Sequence, residues 1–226
     1  MFLNAVATTS VETVKELLKI QHLKFINIPG KDFAISIYQT TQKDWLDVMG
    51  DALIPSAVSN PSYFQGNKLP VESVSWNAVQ VFIKKLNDKN DGHTYRLPTG
   101  AEWEYCCRAG STTDYYFGSD YETLKEYAWY CENSDAKTHE VGLLKPNLFG
   151  LYDMHGNVWE WCQNLHSPER KDRVIRGGSF CDFARSACSA SSGTVHPSIP
   201  EVHVGFRLVR TPRSPYALKK NIKNRP

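Results

Sequence analysis

The chain has 226 residues, which suits one large domain or at most two small ones and is long enough to bury a sizeable core without a staple. Hydrophobic residues make up 41% and charged residues 22%, a balance that excludes a disordered chain. With 26 basic against 24 acidic residues the net charge is +2, so there is no basic footprint for nucleic acid, and no apolar run approaches the roughly 20 residues that span a bilayer.

Residues 1–10 are weakly apolar with no Lys or Arg ahead of them, a poor secretory leader that favours the cytoplasm. Residues 10–22 (SVETVKELLKIQH) predict a short amphipathic helix, capped by Ser10, with Val11, Val14, Leu17 and Leu18 on one stripe. Apolar alternation over 23–38, broken at Pro29-Gly30, predicts a hairpin. A second helix is expected over Thr40–Met49 from a Thr cap, and 54–70 reads as a loop. Ser75–Asn87 carries Trp76, Val79, Phe82, Ile83 and Leu86 at helical spacing. Thr99–Arg108 opens with Thr99 and Glu102 in capping-box positions.

After Gly110 the helical period disappears. Gly, Asn, Asp and Ser are frequent to about residue 207, and long irregular backbone with short strands is expected. Such backbone needs metal ions, Asx turns or buried side-chain hydrogen bonds to satisfy its polar groups. The six cysteines include the neighbours Cys106-Cys107 but no CxxC pair, which fits buried or free thiols better than a zinc ribbon or a disulfide framework. His139, His155, His166, His196 and His203 form no HxH or HExxH pair. The expected organisation is a lead-in over 1–24, one domain over 25–210 and a basic tail over 211–226.

Four segments carry the most information: PVESVSW (70–76), YRLPTGAEWEYCCRAG (95–110), GLYDMHGNVWEWC (150–162), and RGGS (176–179) followed by GFR (205–207). In this order they resemble the formylglycine-generating-enzyme family, also called sulfatase-modifying-factor domains, over nearly the whole chain. The resemblance implies an α+β variant of the C-type-lectin fold, with few helices, a small twisted antiparallel sheet and much irregular loop. It also implies a structural calcium ion held by Asp153, Gly156, Val158 and Glu160. Carboxylates and turn carbonyls are the ligands calcium takes, six to eight oxygens at flexible angles. Calcium in turn favours a site outside the cell.

Catalytic members of that family oxidise a substrate cysteine at copper(I), held by two thiolates a few residues after Gly-Gly-Ser. By resemblance Cys181 and Cys188 would be those thiolates, with Trp159 and Ser179 lining the oxygen site. The spacing departs from the family pattern Cys-His-x-Ser-Tyr-Cys, and the His, Ser and Tyr are missing. Gly100 and Gln39 stand where relatives carry Glu, usually at the first and often at the second.

Residues 181–204 (CDFARSACSASSGTVHPSIPEVHV) contain no Lys, Gln, Met or Trp and one Glu. That alphabet results when adenines of Asn codons are randomised, as diversity-generating retroelements do to variable proteins, several of which use this lectin-like fold. The segment would then be a binding surface for a protein or other macromolecule, with Phe183, Val195, His196, Ile199, Val202 and His203 as contacts; alternatively Phe183 and Val202 are core. Three functions compete: a non-catalytic binding domain, a copper- and oxygen-dependent formylglycine-generating oxidoreductase, and an accessory module of a larger system.

Overall fold

The computed structural model describes residues 23–50, 60–167, 169 and 171–213. The helix expected over 10–22 and the tail beyond 213 lie outside the described residues. The N-terminal hairpin pairs β1 (Phe25–Asn27) with β2 (Ala34–Ser36), joined through a turn in which Gly30 takes φ +71°. The last strand, β10 (Val209–Pro212), inserts antiparallel between β2 and β3 (His93–Arg96), giving the order β1-β2-β10-β3. Thr211 and Pro212 thus pair with Thr94 and His93 inside the sheet, although the sequence places them in a tail.

Each described helix starts where cap chemistry says it should. Thr41 and Asp44 form a capping box at α1 (Gln42–Met49), Ser75 accepts from Ala78 N–H at α2 (Trp76–Asp88), and Thr99 and Glu102 form a second box at α3 (Gly100–Arg108). Glu102 also pairs with Arg96 at 2.6 Å, tying α3 to β3. The α2 stripe of Val79, Phe82, Ile83 and Leu86 is buried, and Trp45 of α1 stacks on Phe82 at 5.4 Å, so these two helices share one core with Trp161 and Phe206.

Beyond Gly110 a six-residue 3-10 turn (Tyr121–Glu126) leads to β4 (Ala128–Trp129), which pairs parallel with β5 (His155–Gly156). A second four-stranded sheet holds β6 (Trp159–Leu165), β7 (Arg173–Arg176), β8 (Ser192–Val195) and β9 (Val204–Gly205) in the order β8-β7-β6-β9. The single small sheet of the sequence reading is therefore divided among separate sheets, and β6·β9 is parallel because the chain crosses over through 196–203 before pairing. The irregular backbone is satisfied from side chains. Asn147 Nδ2 donates to the carbonyls of Cys106 and Cys107 while its Oδ1 accepts from Phe149 and Leu151 N–H, and Asn157 brackets His139 in the same manner. Cys106, Cys107 and Cys162 are buried free thiols, and burial pushes Cys106 and Cys107 up to about 12. Among the described residues no helix is long and apolar enough to cross a membrane.

Candidate functional site

Two adjacent clusters arise where the Gly150–Cys162 segment turns into β6. The turn is built from left-handed residues, with Asp153 at φ +56° and Asn157 at φ +63°. It aims successive carbonyls at one point. The main-chain oxygens of Asp153, Gly156 and Val158 and the Glu160 Oε1 lie 3.3, 3.3, 2.9 and 3.0 Å from the side-chain nitrogen of Gln39, which comes from the segment between β2 and α1. The structure thus brings together all four residues expected to hold calcium. The atom at their centre is the amide nitrogen of Gln39, which the sequence marks only as a departure from relatives.

Glu160 is wholly buried and already compensated. Arg207, also wholly buried, donates Nε to Oε2 at 2.7 Å and Nη2 to Oε1 at 2.8 Å, and Trp103 Nε1 adds a bond of 2.7 Å to Oε2. Burial works against the Arg207 charge, but the Glu160 carboxylate outweighs it and holds the guanidinium above its ordinary value. The Asp153 carboxylate turns away from the ring and accepts from Gly142 N–H at 2.8 Å. Calcium binds six to eight oxygens at about 2.3–2.6 Å. The ring offers one carboxylate oxygen, shared with Arg207, and its centre is filled. As placed, these residues do not fit the ion.

Burial pushes the Asp153 carboxyl up to about 6, against the opposing pull of Gly142 N–H and Arg207. A raised carboxyl pKa means that the folded form holds the proton more tightly than the unfolded one. Its charge therefore destabilises, beginning near the unfolded value of about 4 and reaching its full extent above pH 6. Asp153→Asn, which keeps an acceptor for Gly142, is expected to stabilise by ~1–3 kcal/mol at pH 8 and to have little effect near pH 3.5. Comparing denaturant midpoints at the two pH values cancels constant backbone effects at this left-handed position. An equal effect at both would refute it.

The second cluster follows Gly177-Gly178. Trp159 Nε1 donates to Asp182 Oδ2 at 2.7 Å, and the Ser179 hydroxyl donates to the same oxygen. The two residues expected to line an oxygen site are thus together, and both donate to a carboxylate that the sequence reading did not single out. Cys181 is exposed beside Ser179 Oγ (3.3 Å), whereas Cys188 is half-buried among Tyr115, Asp114 and Ser191, where burial pushes its thiol up. No described contact joins the two thiols, and no group of three or more His, Cys, Asp or Glu among the described residues is placed to hold a metal.

Residues 181–204 wrap the outer side of this cluster. Phe183 is 62% exposed and Ile199 44%, so Phe183 is not core. His196 is exposed, with its ring bonded to Ser198, while Val202 and His203 are half-buried. Val195 departs from the expectation: it lies in β8 opposite Arg173 and packs on the core shared by α1 and α2. Tyr63, 74% exposed, and Phe64, packed edge-on to Phe180 at 5.4 Å, adjoin the segment. They lie in a loop where no periodicity could mark them.

The fold and both clusters define a C-type-lectin-like scaffold of helices, short sheets and side-chain-braced loops. The profile of the FGE-sulfatase family, described as the sulfatase-modifying factor enzyme 1-like domain, matches residues 17–212, and the chain belongs to that family. The chaperone protein LppX of Paenibacillus barcinonensis is 33% identical, with 82% of each chain covered. The formylglycine-generating enzyme of Streptomyces coelicolor is 30% identical, and the chain spans about half of its length (51%). Among solved structures, Treponema denticola variable protein 1 superposes with a TM-score of 0.70 at 27% identity, covering 84% of this chain and 92% of that one. PvdO from Pseudomonas aeruginosa gives 0.68 at 30%, covering 79% and 80%.

Proposed function

We propose that this protein is a non-catalytic binding domain that meets a protein or other macromolecular ligand through residues 181–204. The observation that carries this reading is how the segment is held. Cys131 N–H donates to Asp182 O (2.9 Å), Asn77 N–H to Pro197 O (3.1 Å), Ser73 N–H to Glu201 O (3.0 Å) and Trp159 N–H to His203 O (2.8 Å), while Ser189 N–H donates to Asp114 O (2.7 Å). Five residues from four other parts of the chain grip its main chain, and none of these bonds uses a side chain of the segment. β8 adds four backbone register pairs with β7. The path is therefore fixed whatever side chains point outward, which is what a surface of variable specificity requires.

The likeness to a variable protein supports this reading, as does the restricted alphabet of 181–204. The finer proposal is that the segment is diversified by a retroelement. Chemistry at copper receives no comparable support, because Asp182 takes the donors of Trp159 and Ser179.

Saturating Phe183, His196 and Ile199 tests the scaffold. Most substitutions are expected to move the thermal midpoint by less than about 2 °C, since surface changes rarely exceed about 0.5 kcal/mol. Large residues at Ala187 and Ser189, buried in the same segment, are expected to unfold the protein. General unfolding from the three exposed positions would refute a substitution-tolerant face. For diversification, the flanking DNA is expected to carry a reverse transcriptase gene and a near-copy of the 181–204 coding stretch, and absence of both removes that finer reading.

A further inference from the structure

The geometry points to a side-chain amide, that of Gln39, as permanent occupant of the position where the family resemblance implies a calcium ion, so that this scaffold is held without metal. The first argument is convergence. Three carbonyl oxygens and one carboxylate oxygen surround Gln39 Nε2 within 3.3 Å. All four are acceptors, so only a donor or a cation can stand among them. Were the amide reversed, its oxygen would face four others. The ring therefore fixes the amide with its N–H groups inward, and Gln39 Oε1 is left buried without a partner among the described residues.

The second argument is charge. Gln39 is 1% exposed, and Glu160 and Arg207 are fully buried as a pair before any ion arrives. Arg207 Nη2 lies 2.8 Å from the very oxygen a cation would use, so a divalent ion at the ring centre would sit close to a like charge. A glutamate at position 39 would reverse this balance. It would place a second carboxylate against Glu160, an arrangement that takes up either a shared proton or a cation, and with three carbonyls alongside it offers calcium the oxygens it binds. A single change from carboxylate to amide thus exchanges an ion for two N–H groups and leaves the ring closed.

The test is a pair of thermal unfolding measurements, in millimolar calcium and in excess chelator, with metal content read by mass spectrometry after desalting. For the natural chain the two midpoints are expected to agree within about 1 °C, with no calcium retained. Gln39→Glu is expected to be the less stable protein in chelator and to gain roughly 5–15 °C on adding calcium, as a site saturated far above its dissociation constant does. A natural chain that loses stability on chelation and regains it with calcium would overturn the proposal. So would a folded Gln39→Glu variant indifferent to calcium. Should that variant fail to fold in either buffer, the natural chain decides the matter alone. The outcome is independent of what residues 181–204 bind.

Discussion

Arg207→Met is expected to lower the stability of the domain by about 3–5 kcal/mol, a large share of the roughly 5–15 kcal/mol that holds a domain together. The guanidinium pairs with both oxygens of Glu160 and donates to the carbonyls of Ser36 (3.2 Å), Ile37 (3.4 Å) and Tyr152 (2.8 Å). It thereby joins β2, the 150–158 turn and β6. Methionine fills a similar volume but, among the described residues, leaves the buried carboxylate with Trp103 and Gln39 as its donors and strips the carbonyls of Ser36 and Tyr152 of the guanidinium, while Ile37 O keeps Tyr152 N–H at 3.1 Å. The pair need not be intrinsically favourable for this to hold; breaking one side of it strands the other charge. Chemical denaturation should show the loss, and Arg207→Met combined with Glu160→Gln should recover part of it. A loss below about 1 kcal/mol for the single change would show that the charge is not confined as the geometry indicates.

Gly156→Ala is the second large effect, at roughly 3–5 kcal/mol. Gly156 has φ +79°, and a Cβ there would lie 2.9 Å from the Trp129 carbonyl carbon and 3.1 Å from its nitrogen. Both atoms are backbone of the paired strand β4, so neither can rotate away. Relief would require separating β4 from β5 and would carry the carbonyls of the ring with it. Gly92→Ala supplies the comparison: φ is +90°, but no atom lies within 4 Å of the added carbon. It is expected to lose about 1 kcal/mol, from backbone strain alone. Similar losses for the two variants would disprove a clash at Gly156.

What could be read in advance follows the range of the interaction. Thr41, Ser75 and Thr99 announced helix starts because capping joins residues three positions apart. Val79, Phe82, Ile83 and Leu86 declared a buried face by spacing alone. The insertion of β10 beside β2 was not legible, since Val209 and Ile35 meet across most of the chain and no local pattern records it. At the site, the Gly150–Cys162 motif marked which oxygens converge but not what they converge on. Gln39 is over a hundred residues away, and its meaning depends on the ring being closed. Asp182 is not legible for a different reason. A carboxylate beside Cys181 carries no local pattern that shows it meeting Trp159, 23 residues away, together with Ser179. Val195 resembled an exposed contact because a four-residue strand is too short to reveal its inward side.

The central place of β10 in its sheet has a consequence during synthesis. β2 has only β1 beside it, and β3 has no partner in the sheet, until the chain has been translated through about residue 212, so this sheet cannot close on the growing polypeptide while residues 181–204 are being added. A reading-frame error in that stretch deletes the closing strand and leaves two open edges for degradation machinery to find. Only in-frame versions of the stretch yield a finished molecule, so the fold itself screens whatever sequence is written there.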